Sequence, residues 1–191
     1  FDNPQNPIVH QETTAREILH ALGARRFDAF IAGVGTGGTL TGVGRFLRES
    51  RPECRVIGVE PESCATLSRG EVGPTKIQGL AAGFVPNNYD AAVPHEILTV
   101  TDRAAYATKA ALAKTGMLLG ISAGAAVRVA LLTEAEALAD QDVEINRRMG
   151  KGAAVVHPDD GPVIVGTERD LAGLPMVALS ARTVAARIGP A

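Results

Sequence analysis

A glycine-rich turn between a short apolar run and a helical pattern is the feature that most constrains this chain. The run at residues 27–34 is typical of a buried strand, and residues 39–49 return apolar side chains at helical spacing. Between them, Gly-Val-Gly-Thr-Gly-Gly-Thr occupies residues 33–39, and a second buried strand is predicted at residues 54–59. Strand, turn, helix and strand in this order form a βαβ crossover, which requires a parallel sheet.

The rest of the chain alternates between strand and helix patterns in the same way. We expect residues 1–7 to be irregular, because they are rich in Asn and Pro, and residues 60–96 to be rich in loops. The predicted fold class is therefore α/β, with a three-layer, mostly parallel twisted sheet and helices on both faces. The further predicted helices lie at 13–22, 102–114 and 123–139, the further strands at 97–100, 118–121 and 153–157, and a weaker strand and helix at 163–165 and 177–188.

Short polar residues mark the starts of three of the predicted helices. Thr14 followed by Glu17 fits the capping-box pattern, and Thr101 and Ser122 stand where N-cap residues are expected. Gly23 follows the first of these helices and is expected to end it. On this interpretation Ser122 has a structural role at a helix start.

Composition excludes several classes of function. The 191 residues carry a formal net charge of −2, which argues against a basic nucleic-acid surface. The longest apolar stretch, residues 118–132, is interrupted by Arg128, so we expect no membrane span. Cys54 and Cys64 have no metal or redox spacing and are expected to be free thiols in a reduced, cytoplasmic compartment. The four histidines are far apart in sequence, so we expect no metal centre.

The glycine turn is suited to binding an anion. Glycines allow the backbone to approach a ligand closely, helix N–H groups receive negative charge, and Thr36 and Thr39 add hydroxyl donors. The spacing also satisfies Gly-x-Gly-x-x-Gly, and Glu60 ends the next strand, where a dinucleotide-binding domain places its ribose-binding acid. An NAD-type dinucleotide, another phosphate-bearing cofactor, and a tight turn without a ligand all remain compatible with this pattern.

Five segments in order resemble the cysteine synthase (O-acetylserine sulfhydrylase) family of fold type II pyridoxal-phosphate (PLP) enzymes. The match covers roughly residues 1–157 and is more specific than a glycine pattern alone. The segments are Phe-Asp-Asn-Pro-Gln-Asn-Pro at 1–7, the glycine turn at 33–42, Ile-Gly-Val-Glu-Pro at 57–61, Lys-Ile-Gln-Gly-Leu-Ala-Ala-Gly-Phe-Val-Pro at 76–86 and Gly-Ile-Ser-Ala-Gly-Ala-Ala at 120–126.

The resemblance implies a tryptophan synthase β-like large domain and assigns roles by position. It implies PLP as cofactor, a homodimer in the complete enzyme, and β-replacement on O-acetylserine with sulfide, giving cysteine and acetate. Ser122 would meet the pyridine nitrogen, where a neutral serine does not enforce a pyridinium. The other implied residues are Gly35, Thr36, Gly37, Gly38 and Thr39 at the cofactor phosphate, and Gln78, Gly79, Leu80 and Ala81 in the substrate pocket.

The chain departs from the family pattern in three respects. The family's Schiff-base lysine and its loop for the substrate carboxylate are absent, so we expect the chain to be inactive alone, as a fragment, a processed product or a decayed copy. Ala81 stands where the family usually has glycine. Residues 157–161 faintly resemble the family's Pro-Gly turn at a strand end, and residues 162–191 match nothing in the family, so residues 158–191 are set apart as a divergent tail after a domain at 1–157. A non-catalytic interaction module therefore remains an alternative.

Overall fold

A three-stranded parallel sheet lies at the centre of the computed structural model, which describes residues 1–24, 27–114, 116–139, 154–155 and 163–164. Its strands are β1 (Ala29–Gly33), β2 (Arg55–Pro61) and β3 (Glu96–Val100), in the order β1-β2-β3. The helices are α1 (Gln5–Val9), α2 (Ala15–Leu22), α3 (Gly38–Ser50), α4 (Asp102–Lys114) and α5 (Ile121–Ala139). A separate antiparallel pair joins β4 (Ala154–Val155) to β5 (Val163–Ile164).

The sheet has helices on both faces. In β1, Phe30 and Ala32 pack into one buried cluster with side chains of α2 and α3, while Ile31 packs into a second cluster with side chains of α4 and α5. The next strand divides in the same way, with Val56 on the first face and Ile57 on the second. Because successive side chains of a strand point to opposite faces, this division places the sheet between two helical layers. The predicted three-layer α/β class is confirmed.

The N-terminal segment is helical where an irregular segment was expected. α1 begins at Gln5, whose backbone N–H donates to Asn3 Oδ1 at 3.0 Å, and a π-helical turn, His10–Thr14, joins it to α2. The predicted capping box at Thr14 is therefore wrong, because Thr14 lies inside a continuous helical segment and its hydroxyl pairs with His10 Nδ1 at 2.9 Å. The predicted end of this helix at Gly23 is confirmed by a φ of 59°.

The strand expected at residues 118–121 is absent. Residues 118–120 have no regular secondary structure, and α5 begins at Ile121. Gly124 N–H donates to the carbonyl of Gly120 at 3.1 Å, so Gly120 is the N-cap residue and Ser122 lies in the first turn. The predicted cap at Thr101 is confirmed, because its hydroxyl accepts from Ala104 N–H at 3.1 Å.

Other expectations fall partly outside the described residues. Residues 60–96 are loop-rich as predicted, with one 3-10 turn at Glu62–Cys64. β5 coincides with the weaker strand expected at 163–165, whereas the helix expected at 177–188 and the rest of the tail lie outside the described residues. No described helix combines the length and the apolar character needed to cross a membrane. Within the same residues, no group of three or more His, Cys, Asp or Glu could hold a metal ion.

Both cysteine thiols are expected to be unreactive in the folded chain. Cys54 and Cys64 are free and buried, and burial raises the pKa of the Cys54 thiol to about 12. Since the thiolate is the nucleophile, iodoacetamide at pH 8 should label neither residue in the native chain and both in urea. Mass spectrometry measures the labelling, and rapid native labelling of Cys54 would contradict the packing described here.

Candidate functional site

The glycine turn connects the end of β1 to the start of α3. Gly37 occupies the N-cap position with a φ of 85°, in the left-handed region that favours glycine, and its carbonyl accepts from Thr41 N–H at 3.0 Å. A β-carbon at Gly37 would lie 2.8 Å from Tyr89 Cβ and 2.9 Å from its backbone nitrogen. Conformation and packing therefore both require glycine at this position.

The N-terminus of α3 is suited to a negative charge. The helix has 13 residues, its N-cap residue Gly37 has no side chain, and its first turn contains no acidic residue. Helices α2 and α4, by contrast, carry Glu17 and Asp102 in their first turns. The first N–H groups of an α-helix have no partner within the helix, and the macrodipole places partial positive charge there. The turn can therefore receive an anionic group.

Helix α1 forms one wall of the turn. Asn6 Nδ2 donates to Thr36 Oγ1 at 3.0 Å, and Gly38 N–H donates to the same oxygen at 3.3 Å. A β-carbon at Gly38 would overlap the Asn6 amide, and one at Gly42 would overlap the carbonyl of Pro7. The two glycines thus permit α1 to approach α3 at backbone distance, which brings the Asn6 side chain to the turn.

The π-helical turn supplies a second connection to the same wall. His10 Nε2 lies 3.2 Å from Thr39 Oγ1, and His10 Nδ1 lies 2.9 Å from Thr14 Oγ1. Thr36 and Thr39, the two hydroxyls singled out from the sequence, are thus each fixed by a side chain of the N-terminal helical segment. Sequence analysis missed Asn6 and His10. The available signal was Asn3-Pro4, since a short polar residue followed by Pro is typical of a helix start.

The segment that covers Gly37 is tied to α3. Asp90 N–H donates to Thr41 Oγ1 at 3.0 Å, and the Asp90 carboxylate pairs with Arg45 at 2.7 Å. The Arg45 guanidinium holds the pKa of that carboxyl below its usual value, while burial, with the charges of two nearby carboxylates, raises the pKa of the Tyr89 phenol. The neighbouring Asn88 is 5% exposed, and its Nδ2 lacks a hydrogen-bond partner among the described residues.

The predicted pocket residues are joined directly to the turn. Ala81 N–H donates to the carbonyl of Val34 at 3.0 Å, and the Leu80 side chain fills the space that a β-carbon on Gly33 would need. Gln78 and Gly79 precede them and are exposed. The structure thus brings residues 78–81 and the turn together.

The loop at residues 75–81, which carries the predicted pocket residues, is anchored at its start on α4. Asp102 accepts from Thr75 Oγ1 and from Lys76 N–H, each at 2.9 Å, while the Lys76 side chain is exposed. The third predicted part of the site, Ser122, belongs to α5, where it is 5% exposed. The loop at residues 75–81 is therefore held at both ends, by Asp102 at Thr75 and Lys76 and by the carbonyl of Val34 at Ala81.

Ala81 adopts a backbone conformation suited to glycine. Its φ is 53°, the one positive value at a non-glycine residue in the described part of the chain. A left-handed conformation costs an L-residue roughly 1–2 kcal/mol. Ala81, which stands where the family usually has glycine, therefore has a conformation that glycine would adopt without strain.

Glu60 has a structural role. It is 1% exposed at the end of β2, and its carboxylate accepts from Leu67 N–H at 2.8 Å, Ser68 N–H at 2.9 Å and Ser68 Oγ at 2.5 Å. Both oxygens are engaged, so the carboxylate fastens the following loop instead of facing a ribose. The NAD-type interpretation therefore lacks the acidic residue that would bind the ribose.

Comparison with known proteins gives one consistent result. Residues 1–145 match the family described as "Pyridoxal-phosphate dependent enzyme". An O-ureido-L-serine synthase of Streptomyces lavendulae is 51% identical over 132 residues, covering 69% of this chain and 41% of the relative. A cysteine synthase of Staphylococcus aureus is 41% identical over 170 residues, covering 87% and 51%. The chain therefore spans about half or less of the length of these relatives.

A solved structure agrees with the sequence comparison. The crystal structure of an O-ureido-L-serine synthase superposes with a TM-score of 0.65 at 47% identity, covering 73% of this chain and 43% of that one. At 47% identity, the two chains share many residues as well as the fold.

Replacing the Glu60 carboxylate should destabilise the chain. In Glu60→Gln, an amide NH₂ faces a backbone or hydroxyl donor, so we expect the free energy of unfolding to fall by about 1–3 kcal/mol. Urea unfolding followed by circular dichroism measures the change. The matched control Glu62→Gln alters an exposed residue two positions away and should have little effect. Equal stabilities of the two variants would contradict the role of Glu60.

Replacing Ala81 by glycine should relieve backbone strain. We expect Ala81→Gly to raise the free energy of unfolding by up to about 1 kcal/mol, after the larger entropy of the unfolded glycine chain is counted. Ala82→Gly, at a neighbour with negative φ, should lower it by about 0.4–1 kcal/mol. The same urea experiment compares them, and a loss of stability in both variants would contradict the strain.

Proposed function

The chain belongs to the pyridoxal-phosphate-dependent enzyme family, and we propose that the glycine turn and the N-terminus of α3 bind the phosphate group of that cofactor. The proposal is supported chiefly by the N-terminus of α3, whose first turn contains no acidic residue and which is preceded by Gly35, Thr36 and Gly37. Gly37 and Gly38 place no β-carbon where the turn enters α3, and the Thr36 and Thr39 hydroxyls are held by neighbouring side chains. These residues fit a phosphate ester.

We assign the remaining contacts by position. When bound, pyridoxal phosphate withdraws electrons from an amino-acid substrate and so makes its β-substituent a leaving group. Ser122 would hydrogen-bond the pyridine nitrogen as a neutral partner, which leaves that nitrogen less basic than a carboxylate would. The loop of Gln78, Gly79, Leu80 and Ala81 would line the substrate pocket. The Ala81 methyl group would narrow it.

The reaction proposed is β-replacement on an O-activated L-serine, with O-acetylserine and sulfide as substrates and cysteine and acetate as products. The names of the relatives, a cysteine synthase and an O-ureido-L-serine synthase, both describe a three-carbon amino acid with a heteroatom on its β-carbon. The nucleophile, sulfur or oxygen, separates the two activities. The complete enzyme is proposed to be a cytoplasmic homodimer.

The 191 residues are proposed to bind the cofactor without turning substrate over. Among the lysines that the structure describes, Lys76 and Lys114 are exposed and Lys109 is half-buried on α4. The family resemblance implies that the cofactor-carrying lysine lies in the N-terminal part of the family, and it assigns that role to none of these three lysines. The non-catalytic and the enzymatic interpretations therefore make the same prediction for these 191 residues. They differ only in whether a complete protein turns substrate over.

Cofactor binding can be tested without chemistry at lysine. Pyridoxamine 5′-phosphate has no aldehyde, and its fluorescence reports binding to the chain. We expect saturable one-to-one binding, and about tenfold to a hundredfold weaker binding for Thr39→Val, because a hydroxyl donor to an anion is lost. Thr39 is preferred to Gly37, where any side chain would disturb the fold.

The controls separate phosphate recognition from loss of folding. Thr108→Val alters a buried threonine of α4 and should bind as the wild-type chain does. Pyridoxamine without the phosphate should bind much more weakly, and NADH should not compete. Failure of the wild-type chain to bind, or competition by NADH, would overturn the proposal.

The absence of a cofactor-carrying lysine has a chemical signature. After incubation with pyridoxal phosphate and reduction with borohydride, we expect only scattered, substoichiometric labelling of lysines. Peptide mass spectrometry locates and quantifies the label. A single lysine modified to completion would show that this chain supplies its own.

A further inference from the structure

We propose that Asn6 is a positioning residue of the phosphate site, whose side-chain amide sets the direction of the Thr36 hydroxyl. The inference rests on the proposed function and adds to it a residue from α1. Asn6 belongs to a helix that packs outside the turn, and its effect on a ligand would pass through Thr36.

Two donors converge on the Thr36 oxygen. Asn6 Nδ2 lies 3.0 Å and Gly38 N lies 3.3 Å from Thr36 Oγ1. A hydroxyl oxygen has two acceptor sites and one proton, so both contacts use its lone pairs. The O–H bond therefore cannot point at either of these two donors.

The backbone fixes the amide itself in place. Gly38 lies so close to Asn6 that a β-carbon there would overlap the amide oxygen. Asn6 N–H donates to the carbonyl of Asn3 at 3.0 Å in the first turn of α1. Because α1 continues through the π-helical turn into α2, whose Ile18 is fully buried, the amide is attached to the core of the domain.

A fixed hydroxyl direction is what a phosphate site requires. A hydroxyl that rotates freely must be ordered when the anion binds, whereas a hydroxyl already held loses less entropy. Removal of the amide leaves Thr36 in place but removes one of the contacts that limit its rotation. The loss should therefore be seen in the affinity for a phosphate group, without an equal loss for the rest of the ligand.

The test is a double-mutant cycle on pyridoxamine 5′-phosphate binding. We expect Asn6→Ala to weaken binding about three- to tenfold, the range of one hydrogen bond. In the background of Thr36→Val, which removes the hydroxyl at nearly constant volume, the same substitution should have less than a twofold effect. Asn6→Asp, which keeps the shape but replaces a donor by an acceptor and adds negative charge, should weaken binding further than Asn6→Ala.

Three readouts distinguish positioning from general packing. Pyridoxamine without the phosphate should bind wild type and Asn6→Ala equally, and the phosphorus resonance of the bound ligand should shift between them. Asn87→Ala, at an exposed asparagine that bonds Asp2, serves as the matched control and should match wild type in both measurements. Urea unfolding of each variant verifies that the domain is intact.

The outcomes separate this inference from the proposed function. If wild type binds pyridoxamine 5′-phosphate and Asn6→Ala binds it equally well, the role of Asn6 is wrong and the phosphate site stands. An equal loss for the ligands with and without phosphate, or an undiminished effect in the Thr36→Val background, also overturns the role. If wild type does not bind at all, the proposed function fails first.

Discussion

Backbone contact between the N-terminal helical segment and the start of α3 is the constraint on which the site depends. At Gly38 and Gly42 the two helices are so close that no β-carbon fits between them. This closeness lets a side chain from each of α1 and the π-helical turn reach the hydroxyls of Thr36 and Thr39. The turn also receives Tyr89 on its other side, against Gly37. A loop of glycines, flexible in isolation, is thereby held in one conformation by its neighbours.

Sequence periodicity was sufficient for the central unit of the fold. The apolar runs before and after the glycine turn predicted β1, α3 and β2 within a few residues, because a buried parallel strand and an amphipathic helix have different apolar periods. The same reasoning failed at residues 118–121. A four-residue apolar run does not distinguish a buried strand from the entry to a buried helix, and α5 is apolar enough to be the latter.

The site was less predictable than the fold. The turn residues could be chosen from their types, but Asn6 and His10 were missed, because Asn and Pro near the N-terminus are typical of an irregular segment as well as of a helix start. No local pattern indicates a π-helical turn, which depends on the tertiary packing around it. The conformation of Ala81 was equally hidden, since only the family resemblance indicated glycine there. For Glu60 the spacing suggested a ribose contact, and only the structure shows that its carboxylate accepts three hydrogen bonds from the following loop instead.

The π-helical turn at His10–Thr14 has a geometric consequence for the whole N-terminal segment. Each residue of an α-helix advances by about 100°, and a π-turn accommodates one residue more than an α-turn. The inward-facing residues of α1 and α2 are consequently one position out of step with a continuous α-helical spacing. Within this arrangement α1 contacts the glycine turn through Asn6, and α2 packs against the sheet through Ile18. A single-residue deletion within His10–Thr14 would be absorbed by closing the wider turn to a regular α-turn, so the helices on either side would keep their directions.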